Sequence, residues 1–172
     1  VEEGLPPYEY DTIDAIWNAL SSAGLARVLE RHAHWREKVH PTSIITGERG
    51  AAITAVQYVK ALDAVADFRR NIAQAFEDFD ILITPTSGAH PWPIGTPYPK
   101  EIDGRAAGPR SSAVFTTFVN AAALPAITVP ITPSVSGVPI GMQMVARYGA
   151  DEVLLLLAKA FESAQPWNTR WP

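Results

Sequence analysis

The chain contains no cysteine. That excludes a disulfide framework, a thiolate nucleophile and a sulfur-based zinc site. Positive charge is scarce: 14 Lys and Arg stand against 18 Asp and Glu, for a formal net charge of −4. A chain so balanced offers no basic face, and nucleic acid is not an expected partner. Long apolar runs are also missing. Stretches such as residues 153–158 fall far short of the roughly 20 residues that cross a bilayer, so no membrane contact is expected. No signal peptide opens the chain, and the expected location is the cytoplasm. Yet only 19% of the residues are charged and 47% are hydrophobic, which is too apolar for a disordered tail. A length of 172 residues suffices for one domain with its own core.

Proline is in excess, and it is unevenly spread: three of the 15 lie in residues 1–80 and twelve in residues 81–172. The split predicts a mainly helical segment over 1–80, then strand, loop, strand hairpin and helix over 81–172. Asp11, with Asp14 three positions on, predicts a helix N-cap. Ile13, Ile16, Trp17 and Leu20, then Leu25, Val28 and Leu29, recur at helical spacing. They predict one or two helices over residues 11–38, ended by Pro41. Gly47 and Gly50 predict a turn. From residue 51 to 77, Ile53, Val56, Val59, Leu62, Val65, Phe68, Ile72 and Phe76 follow every three or four positions, which is the pattern of a long amphipathic helix.

The run Ile81-Leu82-Ile83-Thr84, stopped by Pro85, reads as a buried strand. Residues 85–109 hold six prolines and four glycines and predict a long ordered loop of the kind that carries function. Val114, Phe115, Phe118 and Val119 predict a helix over 111–123, capped by Ser111 and Ser112. Strands over 126–129 and 138–147, joined by a turn at 134–137, read as hairpin neighbours. Asp151 and Glu152 suit the start of a last helix through Ala164.

A complete catalytic set is not visible. His32 and His34, two apart on a predicted helix, point to different faces; His40 and His90 have no carboxylate cluster beside them, so no metal is expected. Neither Gly47–Gly50 nor Gly104–Gly108 has the form of a phosphate loop. The Gly-x-Ser-x-Gly elbow is absent, and no glycines flank Ser21-Ser22 or Ser111-Ser112 to form an oxyanion hole. Of the four lysines, Lys38, Lys60 and Lys159 fall on predicted amphipathic helices, and nothing marks these or Lys100 as buried nucleophiles.

One ordered set of motifs is more specific. Phe76-Glu77-Asp78-Phe79-Asp80-Ile81-Leu82-Ile83-Thr84-Pro85-Thr86 is followed by Phe115-Thr116, Asn120 and Leu124-Pro125-Ala126-Ile127-Thr128-Val129-Pro130. Gly137-Val138-Pro139-Ile140-Gly141-Met142-Gln143 and Asp151-Glu152 with Leu154-Leu155 come next; Tyr58, Ala61 and Arg69 lie upstream. Together, over about residues 47–165, they resemble the C-terminal part of the amidase signature family.

The resemblance implies an α/β fold, a mixed sheet with flanking helices that is incomplete alone, one partial domain formed by both segments. It implies amide C–N hydrolysis by a Ser–cis-Ser–Lys triad and a glycine-rich oxyanion loop, all lying in the N-terminal part of the family and absent here. This chain is therefore expected to have no catalytic residue and no activity of its own. No cofactor is implied. The expected partner is the missing N-terminal catalytic part, with self-association through an exposed sheet edge or apolar face as a further possibility. Val1 in place of Met fits a segment of a longer reading frame or a processed product. The candidates for pocket lining are Thr86, Ser87, His90, Trp92 and Phe115; Pro85, Asn120, Pro125, Gly141 and Gln143 are expected to hold the backbone. The catalytic chains of glutamyl-tRNA amidotransferases look similar, but they carry an Arg pair and an Asp where this chain has Thr42, Ser43 and Ala113. Those missing charges favour a general amidase acting on a less polar amide. The alternative is a stand-alone structural or binding module, or a non-catalytic component that works in trans.

Overall fold

The computed structural model describes residues 1–167. Two compact units are present, residues 1–71 and the remainder from Ile72, whose boundary falls inside a helix rather than at residue 80. The second predicted segment ends on residues 168–172, which lie outside the described residues. None of the described helices is long and apolar enough to cross a membrane.

In the first unit α1 spans Tyr10–Leu29 and α2 spans Pro41–Ala51. The first helix starts ahead of Asp11: Glu9 is its N-cap, and no side chain caps it. Asp11 sits in the first turn, where its charge suits the helix dipole. The Asp14 carboxylate accepts from Asn18 Nδ2 at 2.8 Å, one turn forward, rather than capping backwards. After α1, only a short 3₁₀ turn at Trp35–Glu37 is helical, so His32 and His34 do not share a helix.

Two expectations fail at α2. Pro41 opens this helix instead of ending the previous one, because a first-turn position has no use for the N–H that proline lacks. His40 is the cap, its Nδ1 accepting from the Thr42 N–H. Gly47 and Gly50 are buried within the helix, not at a turn. They are needed for space: a Cβ on Gly50 would overlap the Ser22 carbonyl and stand 2.8 Å from the Ala23 nitrogen, and one on Gly47 would press on Leu29 at 2.6 Å. These glycines let α2 lie directly on the backbone of α1, where Ser22 is buried with its hydroxyl turned back onto the Asn18 carbonyl.

The long helix is present as α3, Ala55–Ala75. Thr54 and Gln57 form its capping box: the Thr54 N–H donates to Gln57 Oε1 at 2.9 Å, and the Gln57 N–H to Thr54 Oγ1 at 3.2 Å. Its buried face is Ala61, Val65, Phe68 and Ile72, continued by Phe76, while Val56, Val59 and Leu62 are exposed. The reason is helical geometry. Steps of three residues fall short of a 3.6-residue turn, so nine residues carry Val56 about 180° away from Val65.

The second unit centres on a three-stranded antiparallel sheet in the order β1-β5-β4, with β1 Ile81–Pro85, β4 Ala126–Pro130 and β5 Gly141–Ala146. Thr84 and Thr128 both stand opposite Gln143. Val129, Met144 and Ala146 pack against Leu154 and Ala158 of α5, Asp151–Ala164, forming the core cluster. Among the described residues β1 and β4 each pair on one side only, leaving two open edges.

The proline-rich loop contains an unforeseen hairpin, β2 Glu101–Ile102 with β3 Arg105–Ala106. Asp103 and Gly104 both have positive φ, 50° and 71°, the signature of a two-residue type I′ turn. Beyond it a 3₁₀ turn at Ser111–Ala113 leads into α4, Val114–Ala122. The two serines do not cap α4, whose first turn has no side-chain cap; the Ser111 hydroxyl instead accepts the Gly108 N–H at 2.9 Å. Helix α4 ends in a Schellman motif, with Leu124 N–H donating to the Val119 carbonyl and Ala123 N–H to that of Asn120. Ala123 sits there at φ 57°, a left-handed conformation that costs a residue with a Cβ about 1 kcal/mol.

Three outcomes are expected. Ala123→Gly stabilises the chain by about 1 kcal/mol in urea unfolding, by relieving that conformation. Gly50→Ala destabilises it by about 3 kcal/mol in the same measurement, because backbone stands where the methyl must go. Tyr8 is held by burial at a pKa raised from 10.0 to about 12. An unfolded chain loses that proton first, so stability falls as the pH rises between those two values, and in an ultraviolet tyrosinate titration Tyr8→Phe removes a late-ionising component.

Candidate functional site

The site lies in the second unit, where β1 runs out at Pro85. Gln143, in the middle strand, is buried, and its Nε2 donates to Thr84 Oγ1 at 3.0 Å and to the Phe115 carbonyl at 2.6 Å. One amide thus ties the end of β1 to the start of α4, on either side of the long loop. Two residues away on the same strand face, Gly141 has no side chain. A Cβ there would be 2.8 Å from both Thr86 Oγ1 and Thr128 Cγ2. The vacant space lets Thr86 and Thr128 meet across β5, their hydroxyls 3.2 Å apart with Thr86 as donor. The Thr86 N–H also donates to the Gly141 carbonyl at 3.0 Å, prolonging the ladder by one bond.

Past Thr86 the chain is held in place. The Gly88 N–H donates to the Ser112 carbonyl at 2.8 Å, the Ser87 hydroxyl accepts the Ala89 N–H at 3.3 Å, and Trp92 Nε1 donates to the Thr96 carbonyl at 2.9 Å. Residues 85–92 with Thr128 and residues 139–141 enclose an open cleft of about 580 Å³. Its walls are largely apolar, from Pro85, Ala89, Pro91, Trp92, Pro139 and Ile140; its polar groups are Thr86, Ser87, His90 and Thr128, and no carboxylate, lysine or arginine lines it. With no carboxylate, lysine or arginine on its wall, the cleft offers a charged ligand no permanently charged partner.

Of the five lining candidates, Thr86, Ser87, His90 and Trp92 come together in this cleft. Phe115 is not among its lining residues; its contribution is the backbone carbonyl that holds Gln143. The five backbone candidates divide as well. Pro85 ends β1 opposite Met142, Pro125 accepts the Ala146 N–H through its carbonyl, and Gly141 and Gln143 act as described above. The Asn120 side chain is exposed and donates to the Thr116 carbonyl of its own helix, so it bridges no other element; its backbone carbonyl serves the helix end. Gly88, Ala89, Pro91, Thr128, Pro139 and Ile140 line the cleft without having been sequence-based candidates, and Thr128 is the polar side chain among them. Its signal is the register of two predicted hairpin strands with Gly141 on one and Thr128 on the other.

Among the described residues no three His, Asp or Glu side chains cluster to hold a metal ion. A smaller cleft of about 390 Å³ in the first unit is lined by Ala23, Gly24, Arg27, Ile53, Thr54, Ala55 and Tyr58.

Known proteins share this fold. Residues 17–155 match the amidase family. The chain is 28% identical over 170 residues to the 6-aminohexanoate-cyclic-dimer hydrolase of Paenarthrobacter ureafaciens, covering 91% of this chain and 34% of that protein. It is 28% identical over 167 residues to a putative amidase, AmiC, of Mycobacterium leprae, covering 96% of this chain and 36% of that protein. A solved structure of 6-aminohexanoate cyclic dimer hydrolase superimposes with a TM-score of 0.80 at 27% identity, over 93% of this chain and 36% of the other. A bacterial aryl acylamidase shares the fold, with a TM-score of 0.81 at 21% identity over 99% of this chain and 37% of its own. The chain spans about a third of the length of the curated relatives it matches. With the family match extending over most of its length and the fold shared with solved members, the chain belongs to the amidase signature family.

Proposed function

We propose that the chain is the C-terminal, substrate-lining part of an amidase that hydrolyses the C–N bond of an uncharged amide, and that it holds no catalytic residue of its own. The largely apolar cleft beyond β1, free of carboxylate, lysine and arginine and inside the part of the chain that matches the family, carries this reading. Acyl transfer needs a nucleophile, a proton relay and an oxyanion hole. On this reading none of them comes from the cleft, where the Ser87 hydroxyl accepts the Ala89 N–H and no lysine lines the wall. It suits the holding of the apolar part of an amide beside chemistry supplied by the residues that precede this segment in the relatives. Thr42, Ser43 and Ala113 leave no charge where a glutamine-binding relative would grip its amino acid, which agrees with a neutral substrate.

Exposed apolar surface supports a partner. Val56, Val59 and Leu62 on α3, and Val153, Leu155 and Leu156 on α5, are between 45% and 65% exposed, and both outer strands of the sheet have an unpaired edge. Surfaces of this kind are usually covered. The proposed cover is the catalytic part of the same protein or a separate chain equivalent to it.

The expected result is that the isolated 172-residue chain neither turns over benzamide or hexanamide nor reacts with a serine-directed fluorophosphonate. Co-expression with an N-terminal amidase part restores both. Amide turnover together with fluorophosphonate labelling of the isolated chain would overturn the proposal.

A further inference from the structure

The paired hydroxyls of Thr86 and Thr128 are the one polar feature of the cleft that three separate strands cooperate to build. Thr86 follows the end of β1, Thr128 lies in β4, and Gly141 of β5 makes room between them. In this pair Thr86 donates and Thr128 accepts. The hydrogen of the Thr128 hydroxyl is then left without a partner among the described residues, and Thr128 is solvent-exposed and lines the cleft. A hydroxyl that already accepts a hydrogen bond is polarised into a better donor. The indole N–H of Trp92 is spent on Thr96, so that ring contributes only hydrophobic surface. The site therefore presents a hydroxyl donor on a largely apolar wall without carboxylate, lysine or arginine.

From this juxtaposition we infer that the Thr86–Thr128 couple is a specificity-determining subsite that donates, through Thr128, to a carbonyl oxygen of a neutral amide whose apolar group lies along Trp92, Pro91 and Ile140. The inference rests on the cleft being the substrate site and adds which atom is recognised. A carboxylate in the same place would keep one hydrogen bond but bring a negative charge into a cleft with no permanent cation, so the neutral amide is preferred over the matching acid. A ligand without a carbonyl gains only from the apolar wall.

The test is amide-resonance NMR of the 172-residue chain titrated with benzamide, benzoate and toluene as probes. Benzamide is expected to shift residues 86–92, 128 and 139–141, and to bind more tightly than benzoate. Thr128→Val keeps the shape and removes the hydroxyl; it should weaken benzamide roughly two- to tenfold, the range of a single net hydrogen bond, and leave toluene unchanged. Thr128→Ser keeps the hydroxyl and should bind benzamide within about twofold of the parent. Equal benzamide affinity in the parent and Thr128→Val overturns the subsite while the cleft reading stands, as does an equal loss for benzamide and toluene. Benzamide shifts confined to other surfaces overturn both.

Discussion

The second unit depends on one buried amide. Gln143 stands in the middle strand of a sheet whose core residues Met144, Val145 and Ala146 are almost fully enclosed, where a polar group without partners would cost several kcal/mol. Its two hydrogen bonds, to Thr84 and to the Phe115 carbonyl, meet that demand and at the same time pin both ends of the 85–113 excursion. The long loop is thus closed at its base by this side chain together with the Gly88 to Ser112 backbone bond, which offset the entropy of closing it. The loop side of the cleft, from Thr86 to Trp92, follows that closure, and Thr128 with residues 139–141 forms the other side.

Gly141 complements this constraint by omission. Middle strands favour side chains that fill space, yet here the absence of a Cβ lets two threonines from the neighbouring strands touch. The first unit uses the same physics at Gly50, where the missing side chain brings two helices into backbone contact. In both places glycine supplies close approach, not freedom of φ.

Several elements are legible in the residues. Helical spacing marks α3, short apolar runs stopped by proline mark β1 and β4, alternation marks β5, and the Asp151 and Glu152 pair marks the first turn of α5, although β1, read as a buried strand, is an edge strand with Ile83 exposed. The failures share a cause. Gly47, Gly50 and Pro41 have one local meaning as breakers and another inside a helix that packs or begins at them, and only the neighbouring helix selects between the two. The stripe on α3 reads as a single face although its three-residue steps wind around the axis, so Val56, Val59 and Leu62 fall outside it. Asp103-Gly104 is a local hairpin signal that the surrounding prolines obscure. In the site, Thr86, Ser87, His90 and Trp92 are legible because they lie close together on one loop, whereas Thr128 reaches the cleft across a sheet.

What the sequence determined by itself is local and ordered. It comprises which segments alternate, which prolines bound the strands, and a succession of motifs specific enough to point to the amidase signature family. What only the tertiary structure decided is which side chains share a surface. Thr128 entered the cleft because strand register, not sequence distance, sets neighbours across β5, while Phe115, on α4, is not among the lining residues. The lack of carboxylate, lysine and arginine on the cleft wall was decided in the same way, since the chain has Asp, Glu, Lys and Arg throughout and none of them is among the lining residues.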